Sequence, residues 1–172
     1  HTPKPVPSPA APLRQTTAGS PPIGKPWHIV LRSPKHTHRL GRCLGTLLQG
    51  GEVLALFGEL GAGKTSLVKG IADGLLHEYR GRLPLVHSDL YRLTAAQLKD
   101  TGLNDYLDGH TVTAIEWADR WGDGLPSDRL DVHLSHRPPA ARRAILTARG
   151  PAARRLLDAL RSRLSANRPT RA

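Results

Sequence analysis

The sequence predicts a three-layer α/β fold with a mostly parallel central sheet and a C-terminal β-hairpin. Three observations predict it. Short apolar runs alternate along the chain with segments of helical periodicity. The run at 53–57 is apolar throughout, as expected of a strand buried on both faces of a parallel sheet. The last two apolar runs are joined across Arg137-Pro138-Pro139, which is typical of a hairpin.

The first half of the domain contains two strand–helix units. Trp27 to Leu31 is a short strand, and from Thr37 onward apolar residues recur at helical spacing until Gly50-Gly51 ends the helix. The strand at 53–57 leads through a glycine-rich turn into a helix. One face of that helix is apolar and carries Leu67, Val68, Ile71 and Leu75.

The second half continues the alternation. Leu83 to Asp89 is the next strand, with Pro84 at its start, and Thr94 with Gln97 forms a capping box that opens a helix through Leu98. Apolar spacing continues at 103–107, and a strand follows at 111–116. The hairpin strands are expected at 130–134 and 144–147. Pro151 opens a last helix, with inward leucines at 156, 157, 160 and 164.

Composition divides the chain into three parts. Eight of the 15 prolines lie between Pro3 and Pro26, so we expect residues 1–26 to be a disordered leader. Residues 27–148 form the domain, and residues 149–172 form an Arg-rich helix and tail. A single cysteine, Cys43, favours a reducing compartment, and no apolar run approaches the ~18 residues of a membrane span. A soluble cytoplasmic protein with no membrane contact is the expectation.

The net charge of +11 is unevenly distributed. Residues 1–51 carry +7, residues 52–136 carry −5, and residues 137–172 carry +9. Basic ends can make weak, salt-sensitive contacts to nucleic-acid phosphates. No aromatic residue is interleaved with the terminal arginines to stack on bases, so solubility or composition bias is the simpler interpretation.

The segment that carries the chemistry runs from Gly58 to Thr65, Gly-Glu-Leu-Gly-Ala-Gly-Lys-Thr, a complete G-x-x-x-x-G-K-[ST] motif. It follows a buried strand and opens a helix, as the motif requires. Its glycines let successive N–H groups face one anion, and the helix N-terminus adds its positive dipole end. Lys64 is expected to reach the β- and γ-phosphates and Thr65 to ligate Mg²⁺. The motif predicts a P-loop NTPase-like fold that binds a nucleotide phosphate.

Two acids end apolar runs. Asp89 closes one predicted strand and Glu116 closes another. Ligands of open α/β sheets collect at the carboxyl ends of strands, and Mg²⁺ prefers oxygen ligands. One acid is expected to hold the metal directly or through water, and the other to orient the attacking water. A surface or capping role for either acid stays open.

Other polar residues give weaker predictions. No Asn-Lys-x-Asp signature for guanine is present, which favours ATP. His36 with His38, and His133 with His136, could pair on a metal, but neither pair has a third ligand. Cys43 lies on an apolar helix face and is expected to pack in the core. Trp117 and Trp121 either pack in the core or border the nucleotide or a partner.

Three motifs in order give a family resemblance: Leu-Ala-Leu-Phe before the phosphate loop at 54–65, His-Ser-Asp-Leu-Tyr-Arg-Leu at 87–93, and Ile-Glu-Trp at 115–117. Gly-Leu-Asn-Asp-Tyr-Leu at 102–107 adds to them. The chain resembles the bacterial ATPase of tRNA threonylcarbamoyladenosine biosynthesis, the TsaE (YjeE) family, over about residues 27–148.

The resemblance implies a small ATPase that does not itself modify tRNA. It would dock on a two-subunit complex that transfers threonylcarbamoyl to adenosine 37 of tRNA, and its ATP hydrolysis would support repeated turnover. The implied nucleotide-binding residues are Thr37, Gly61, Ala62, Gly63, Lys64, Thr65 and Ser66. Thr65 and Glu116 would serve Mg²⁺, and Asp89 would be the second acid near the metal, so that Lys64, Asp89 and Glu116 are the implied catalytic residues.

One departure from the family affects turnover. The family has a further strand and a Ser-Pro-Thr-Phe/Tyr-Thr segment after the phosphate-loop helix, whereas here Leu75-Leu76 runs directly into His77-Glu78-Tyr79. Either a loop is missing from the recorded sequence or the segment is deleted. The chain starts at His1 and contains no Met, so we expect an incomplete sequence, which favours the missing loop.

Four functions are weighed on these observations. A partner-dependent ATPase of tRNA modification leads, and a nucleotide-dependent binding module without turnover is the alternative if the switch segment is deleted. A small-molecule kinase would need an acceptor domain and an Arg-bearing lid, and no insertion after Asp89 is long enough for them. Direct tRNA binding through the basic ends is a weaker possibility.

Overall fold

A computed structural model describes residues 20–79 and 83–167 of the chain. The regular elements are β1 (Trp27–Leu31), α1 (Pro34–Leu47), β2 (Val53–Phe57), α2 (Lys64–Tyr79), β3 (Leu85–Asp89), α3 (Ala95–Lys99), β4 (Val112–Glu116), β5 (Leu130–Arg137), β6 (Ala141–Ala148) and α4 (Pro151–Ala166). Short 3₁₀ turns lie at Leu103–Tyr106, Ala118–Arg120 and Gly122–Gly124.

One six-stranded sheet organises the fold, in the order β1-β6-β5-β2-β4-β3. The strands β3, β4, β2 and β5 pair in parallel, whereas β6 is antiparallel to both β5 and β1. This confirms the predicted α/β class, the mostly parallel sheet and the C-terminal hairpin. Because β4 lies between β2 and β3, the carboxyl ends of β2, β3 and β4 meet at one edge of the sheet.

The two faces of the sheet are covered unequally. The three long helices α1, α2 and α4 pack with the sheet into one large core, which includes Leu54 and Leu56 of β2. The alternate residues Val53 and Ala55 belong to a second, smaller core with Leu90 and Ile115. On that side the covering elements are α3 and the 3₁₀ turns, so the second layer is thin.

Glycines allow α1 and α2 to pack backbone against backbone. A Cβ added at Gly41 or Gly45 would lie 2.2–2.3 Å from carbonyl oxygens of α2, and one added at Gly70 or Gly74 would meet carbonyl oxygens of α1 at the same distances. Real Cβ atoms do not approach backbone so closely, so only glycine fits. This contact fixes α2, and with it the start of the helix at Lys64.

Several element boundaries differ from the sequence prediction. Helix α1 begins three residues before Thr37, because the Ser33 hydroxyl accepts a hydrogen bond from the His36 N–H and Pro34 occupies the first turn. Strand β3 begins after Pro84 rather than at residue 83. Strand β5 starts at residue 130 as predicted but extends further toward the turn, and β6 is longer at both ends. At the turn, the antiparallel ladder continues through Arg137 and Ala141.

The segments assigned by composition to the two ends contact the domain where the structure describes them. Within 20–26, the Ile23 N–H donates to the Ala148 carbonyl at 2.8 Å, and Arg154 and Arg161 of α4 donate to the carbonyls of Ile23 and Lys25. Helix α4 buries leucines in the main core. The predictions for residues 1–19 and for the tail at 168–172 fall outside the described residues.

Among the described residues, no helix is long and apolar enough to cross a membrane.

Candidate functional site

The carboxyl end of β2 leads into the loop at 58–63, whose backbone depends on glycine. Gly61 and Gly63 have φ angles of 78° and 108°, in the region that side-chain-bearing residues rarely adopt. Gly58 has φ 146°, and a Cβ there would lie 2.3 Å from the Leu134 carbonyl oxygen. The loop therefore passes close over β5 and turns sharply into α2.

The loop and the first turn of α2 expose a group of amide donors. Within the described residues, the N–H groups of Gly61, Gly63, Lys64, Thr65 and Ser66 donate to no carbonyl or side-chain acceptor. The first N–H groups of a helix have no intrahelical partner, and the helix dipole makes this end positive. The arrangement suits a phosphate group.

Lys64 is buried beneath this loop. Its Nζ donates to the carbonyl oxygens of Gly58 at 2.5 Å and Glu59 at 2.9 Å. Burial lowers the pKa of Lys64, and the charges of Glu116 and Asp89 oppose that shift only in part. The site therefore holds a cation that has lost most of its water and is held by two carbonyls of the loop itself.

Trp117 covers this lysine. The Lys64 Nζ lies 4.4 Å from the centre of the indole ring, a cation–π contact, and the Tyr91 ring lies 4.7 Å from the same indole. Trp117 has a φ of 56° and is the one non-glycine residue with positive φ among the described residues. Such backbone strain collects at functional sites. Both Trp117 and Trp121 pack against the second core, and Trp117 in addition borders the phosphate loop.

Thr65, Glu116 and His87 form the polar centre of the site. The Thr65 hydroxyl donates to the Glu116 carboxylate, 3.1 Å from Oε1, and His87 Nε2 lies 2.5 Å from Oε2 of the same carboxylate. Glu116 is 3% exposed at the end of β4. A buried carboxylate with two partners is held in one orientation, next to the first turn of α2.

The charge state of Glu116 follows from these partners. Burial by itself would raise the pKa of Glu116, but the hydrogen bond and charge of His87, helped by Thr65 and Lys64, lower it below its ordinary value. Glu116 is therefore ionised at neutral pH and supplies hard oxygen atoms, the ligand type that Mg²⁺ prefers.

Asp89 lies beside Glu116 on the neighbouring strand. The two residues are partners in the parallel β3–β4 register, so both predicted acids lie at the same edge of the sheet. Unlike Glu116, Asp89 is exposed, and its Oδ1 accepts a hydrogen bond from the Tyr91 N–H at 3.0 Å. The structure brings the two acids together but gives them different environments.

Two elements outside the loop also contact it. Thr37 in α1 is buried, and its methyl carbon lies 3.4 Å from where a Cβ on Gly63 would be. Arg142 of β6 donates to the Gly61 carbonyl, with 3.3 Å between Nη2 and the oxygen. The loop is therefore supported from the helix layer on one side and the hairpin on the other.

Two of these residues were missed by the sequence analysis. His87 could have been found, because it stands two residues before Asp89 on one strand and so shares its face. Arg142 had no such signal, since nothing in the sequence distinguishes it from the neighbouring Arg143.

In both histidine pairs considered for a metal, one histidine has a different partner among the described residues. His38 pairs with Asp73 at 2.6 Å, and His133 stacks on Phe57 with 4.4 Å between ring centres. In the described part of the chain, no group of three or more His, Cys, Asp or Glu residues could hold a metal. Cys43 is only partly buried and lines a surface groove, so it is less enclosed than its helix face suggested.

The fold and this loop define a P-loop NTPase-like, nucleotide-binding protein. Residues 31–145 match the model of the family described as threonylcarbamoyl adenosine biosynthesis protein TsaE. The chain belongs to the TsaE family.

Curated relatives and a solved structure agree with this assignment. The tRNA threonylcarbamoyladenosine biosynthesis protein TsaE of Bacillus subtilis is 34% identical over 72% of this chain and 85% of its own length. That of Treponema pallidum is 39% identical over 61% of this chain and 88% of its own. The crystal structure of Bacillus subtilis YdiB superposes with a TM-score of 0.71 at 31% identity, and the match covers 81% of this chain and 96% of YdiB.

Proposed function

We propose that this protein binds and hydrolyses ATP as an accessory to the complex that forms N6-threonylcarbamoyladenosine at position 37 of tRNA. The observation that carries the proposal is the contact of the Thr65 hydroxyl and the His87 ring with the buried Glu116 carboxylate, beside the start of a P-loop helix. Family membership supports the pathway, since the curated relatives are named for this biosynthesis.

The triphosphate would lie over the amide groups of the loop and of the first helical turn. In this proposal Gly61, Ala62, Gly63, Lys64, Thr65 and Ser66 contact phosphate oxygens, and Thr37 lies beside them. Binding requires Lys64 to exchange its two loop carbonyls for phosphate oxygens, which are stronger partners for a desolvated ammonium group. ATP is proposed over GTP because the guanine-reading signature is absent from the sequence.

Mg²⁺ fits the oxygen atoms at this site. The Thr65 hydroxyl and the buried, ionised Glu116 carboxylate are adjacent and supply hard oxygen atoms. Asp89 on the neighbouring strand β3 is the register partner of Glu116. When bound, the ion would neutralise charge on the phosphate oxygens. We propose Thr65 and Glu116 as its holders, with Asp89 in the surrounding shell of the metal.

Turnover would depend on how the acids are held. His87 fixes one Glu116 oxygen, which leaves the other oriented toward Thr65 and the metal position. Asp89 is exposed and free to accept a hydrogen bond from water, the role expected of the group that orients the nucleophile. Hydrolysis by such a loop is slow unless a partner completes the site.

The proposed partner is the two-subunit complex that transfers threonylcarbamoyl to tRNA. Contact with tRNA would be indirect, with at most weak electrostatic contacts from the basic ends. A binding module without turnover is the alternative, since the switch segment expected after Leu75 is absent from the sequence. Helix α2 continues through this point to Tyr79, and residues 80–82, where a longer loop would connect, lie outside the described part of the chain.

The test compares ATP binding with hydrolysis, with and without the partner complex. Lys64→Ala should abolish binding in a calorimetric titration with ATP and Mg²⁺. Glu116→Gln should leave ATP affinity within a few-fold and reduce steady-state hydrolysis by about 10²-fold or more. Glu52→Gln, a change of the same type outside the site, is the control. Wild-type binding without hydrolysis in the presence of the partner would favour the binding module instead.

A further inference from the structure

A groove lies on the opposite side of α1 from the phosphate loop, between α1, β1 and the C-terminal end of α4. Its volume is about 590 Å³, and none of its lining residues belongs to the loop or to the Thr65–Glu116–His87 cluster. It is therefore separate from the site described above, although both use helix α1.

The floor of this groove is aliphatic. Ile29 and Leu31 come from β1, Leu40 and Cys43 from α1, and Leu164 from α4. Ile29, Cys43 and Leu164 are only partly buried, so they present apolar surface at the bottom of an open depression. The lining contains no Phe, Tyr or Trp, and its one aromatic ring is the imidazole of His36.

The rim of the groove is cationic. Arg39 and Arg42 stand on the α1 wall and Arg163 on the facing α4 wall, and all three are exposed. Among the side chains that the structure describes, those of residues 20–76, 83–94 and 96–167, none makes a hydrogen bond or ion pair with these three arginines, and no Asp or Glu of that set lines the groove. Three exposed guanidinium groups therefore surround an apolar floor.

We propose that this groove docks an acidic segment of a partner protein, a peptide that carries aliphatic side chains between Asp or Glu residues. The aliphatic side chains fill the floor, and the carboxylates pair with the arginines, whose planar donors suit bidentate binding. The identity of the partner, the threonylcarbamoyl-transferase complex, rests on the proposed function. The new element is the surface of this protein at which that complex would bind.

Charge argues against this chain's own ends as the occupant. Residues 1–19 contain Lys4 and Arg14 and no acid, and residues 168–172 contain two arginines and no acid. Either end would bring positive charge to a positive rim. RNA is disfavoured as well, because single strands bind on platforms of several stacking rings, whereas this floor is aliphatic and the lining contributes one ring, that of His36.

Cys43 gives a direct readout of the groove, because it is the single cysteine of the chain and lies on the floor. The experiment measures the rate at which iodoacetamide alkylates Cys43, with ATP and Mg²⁺ present, as the purified two-subunit complex is added. At a partner concentration of ten times Kd, about one tenth of the protein is free, so alkylation should slow about tenfold.

Charge reversal tests the rim. Arg39→Glu/Arg42→Glu should weaken partner binding by about tenfold or more and restore rapid alkylation at the same partner concentration. Arg143→Glu/Arg155→Glu is the matched control, because it changes the net charge equally at exposed arginines outside the groove. Both double variants should keep the ATP affinity of the wild type, which shows that they fold.

The outcomes separate this inference from the proposed function. If the complex forms in gel filtration but Cys43 is alkylated at the free rate, the docking site is elsewhere and only the inference is overturned. If no complex forms with the wild type, the partner assignment fails and the inference fails with it. Protection by tRNA alone, by anionic phospholipid vesicles, or by a rising concentration of this chain itself would also overturn the assignment to an acidic peptide.

Discussion

Lys64 and Trp117 are coupled at the scale of single residues, because the ammonium group lies 4.4 Å from the indole ring. If ATP draws Lys64 away from its loop carbonyls, the surroundings of that ring change. We predict that ATP with Mg²⁺ alters the tryptophan fluorescence of the protein. The signal should disappear in Trp117→Phe and persist in Trp27→Phe and Trp121→Phe, the other two tryptophans of the chain.

His87 is predicted to set the pH dependence of turnover. Burial raises the pKa of Glu116, whereas His87 lowers it by hydrogen bond and charge. His87→Phe removes the lowering contribution, so the acid limb of the hydrolysis rate should move to higher pH, with a lower maximum. His110→Phe, at an exposed histidine outside the site, should leave the pH–rate profile unchanged. An unshifted profile in His87→Phe would limit His87 to a structural role.

His133 is predicted to affect stability in mildly acidic solution. Burial lowers the pKa of this half-buried histidine, so the unfolded chain binds its proton first as the pH falls. The neutral ring makes its full contribution to the free energy of unfolding at pH values above the pKa of histidine in the unfolded chain, about 6.5. Below that pH the contribution declines by at most about 1.4 kcal/mol per pH unit. Urea unfolding between pH 7 and 5 measures how steeply the free energy of unfolding falls with pH. His133→Gln should make this fall less steep, whereas His28→Gln, at an exposed residue, should leave it unchanged.

At the scale of elements, the α1–α2 contact holds the phosphate loop in place. Gly45→Ala would put a Cβ 2.3 Å from the Ile71 carbonyl oxygen, which forces the helices apart. We predict a loss of about 1–3 kcal/mol in the free energy of unfolding, together with weaker ATP binding because α2 begins at Lys64. Lys35→Ala, at an exposed residue of α1, should change the free energy of unfolding by no more than about 0.5 kcal/mol.

At the scale of the whole molecule, a buried ionic network joins segments far apart in the chain. Asp131 of β5 pairs through one oxygen with Arg129 and through the other with Arg149, which also donates to the Ser20 carbonyl. All three side chains are buried. The network ties β5, the end of β6 and the start of the described chain together.

Removal of the central charge should therefore be costly. Asp131→Asn leaves two buried guanidinium groups without a counter-charge, and we predict a loss of about 3–5 kcal/mol in the free energy of unfolding. The control is Asp128→Asn. Asp128 accepts hydrogen bonds from the N–H groups of Ala152 and Ala153 at the start of α4, so its loss should cost only about 0.5–2 kcal/mol. Equal losses in thermal or urea unfolding would contradict the special role of Asp131.

The groove rimmed by Arg39, Arg42 and Arg163 also belongs to the whole molecule. Its arginines come from the two basic regions at opposite ends of the sequence, which the sheet brings together because β1 pairs with β6 and α4 follows β6. In the linear sequence the two basic regions lie at opposite ends of the chain, whereas in the folded protein their arginines form one surface.

Much of the fold was predictable from local patterns. Both boundaries of β2 and the capping box at Thr94 agree with the prediction from the sequence. A continuous apolar run and a short hydrogen-bonding motif depend only on neighbouring residues, so the sequence shows them directly. The start of α1 was missed because its polar first turn carries no apolar periodicity. The turn ends of β5 and β6 were missed because these strand residues are largely exposed and are held by their partner strand rather than by burial.

The sequence alone determined the phosphate loop, since its glycines, lysine and threonine are contiguous and their chemistry is local. It also indicated that Asp89 and Glu116 end strands. The tertiary structure decided that β4 lies between β2 and β3, and so brought Glu116 to Thr65, 51 residues away in the chain. It likewise decided that His87 holds Glu116, that Trp117 covers Lys64, and that the two basic ends share a groove. These contacts depend on the order of strands in the sheet, which long-range backbone pairing sets and no single stretch of sequence encodes.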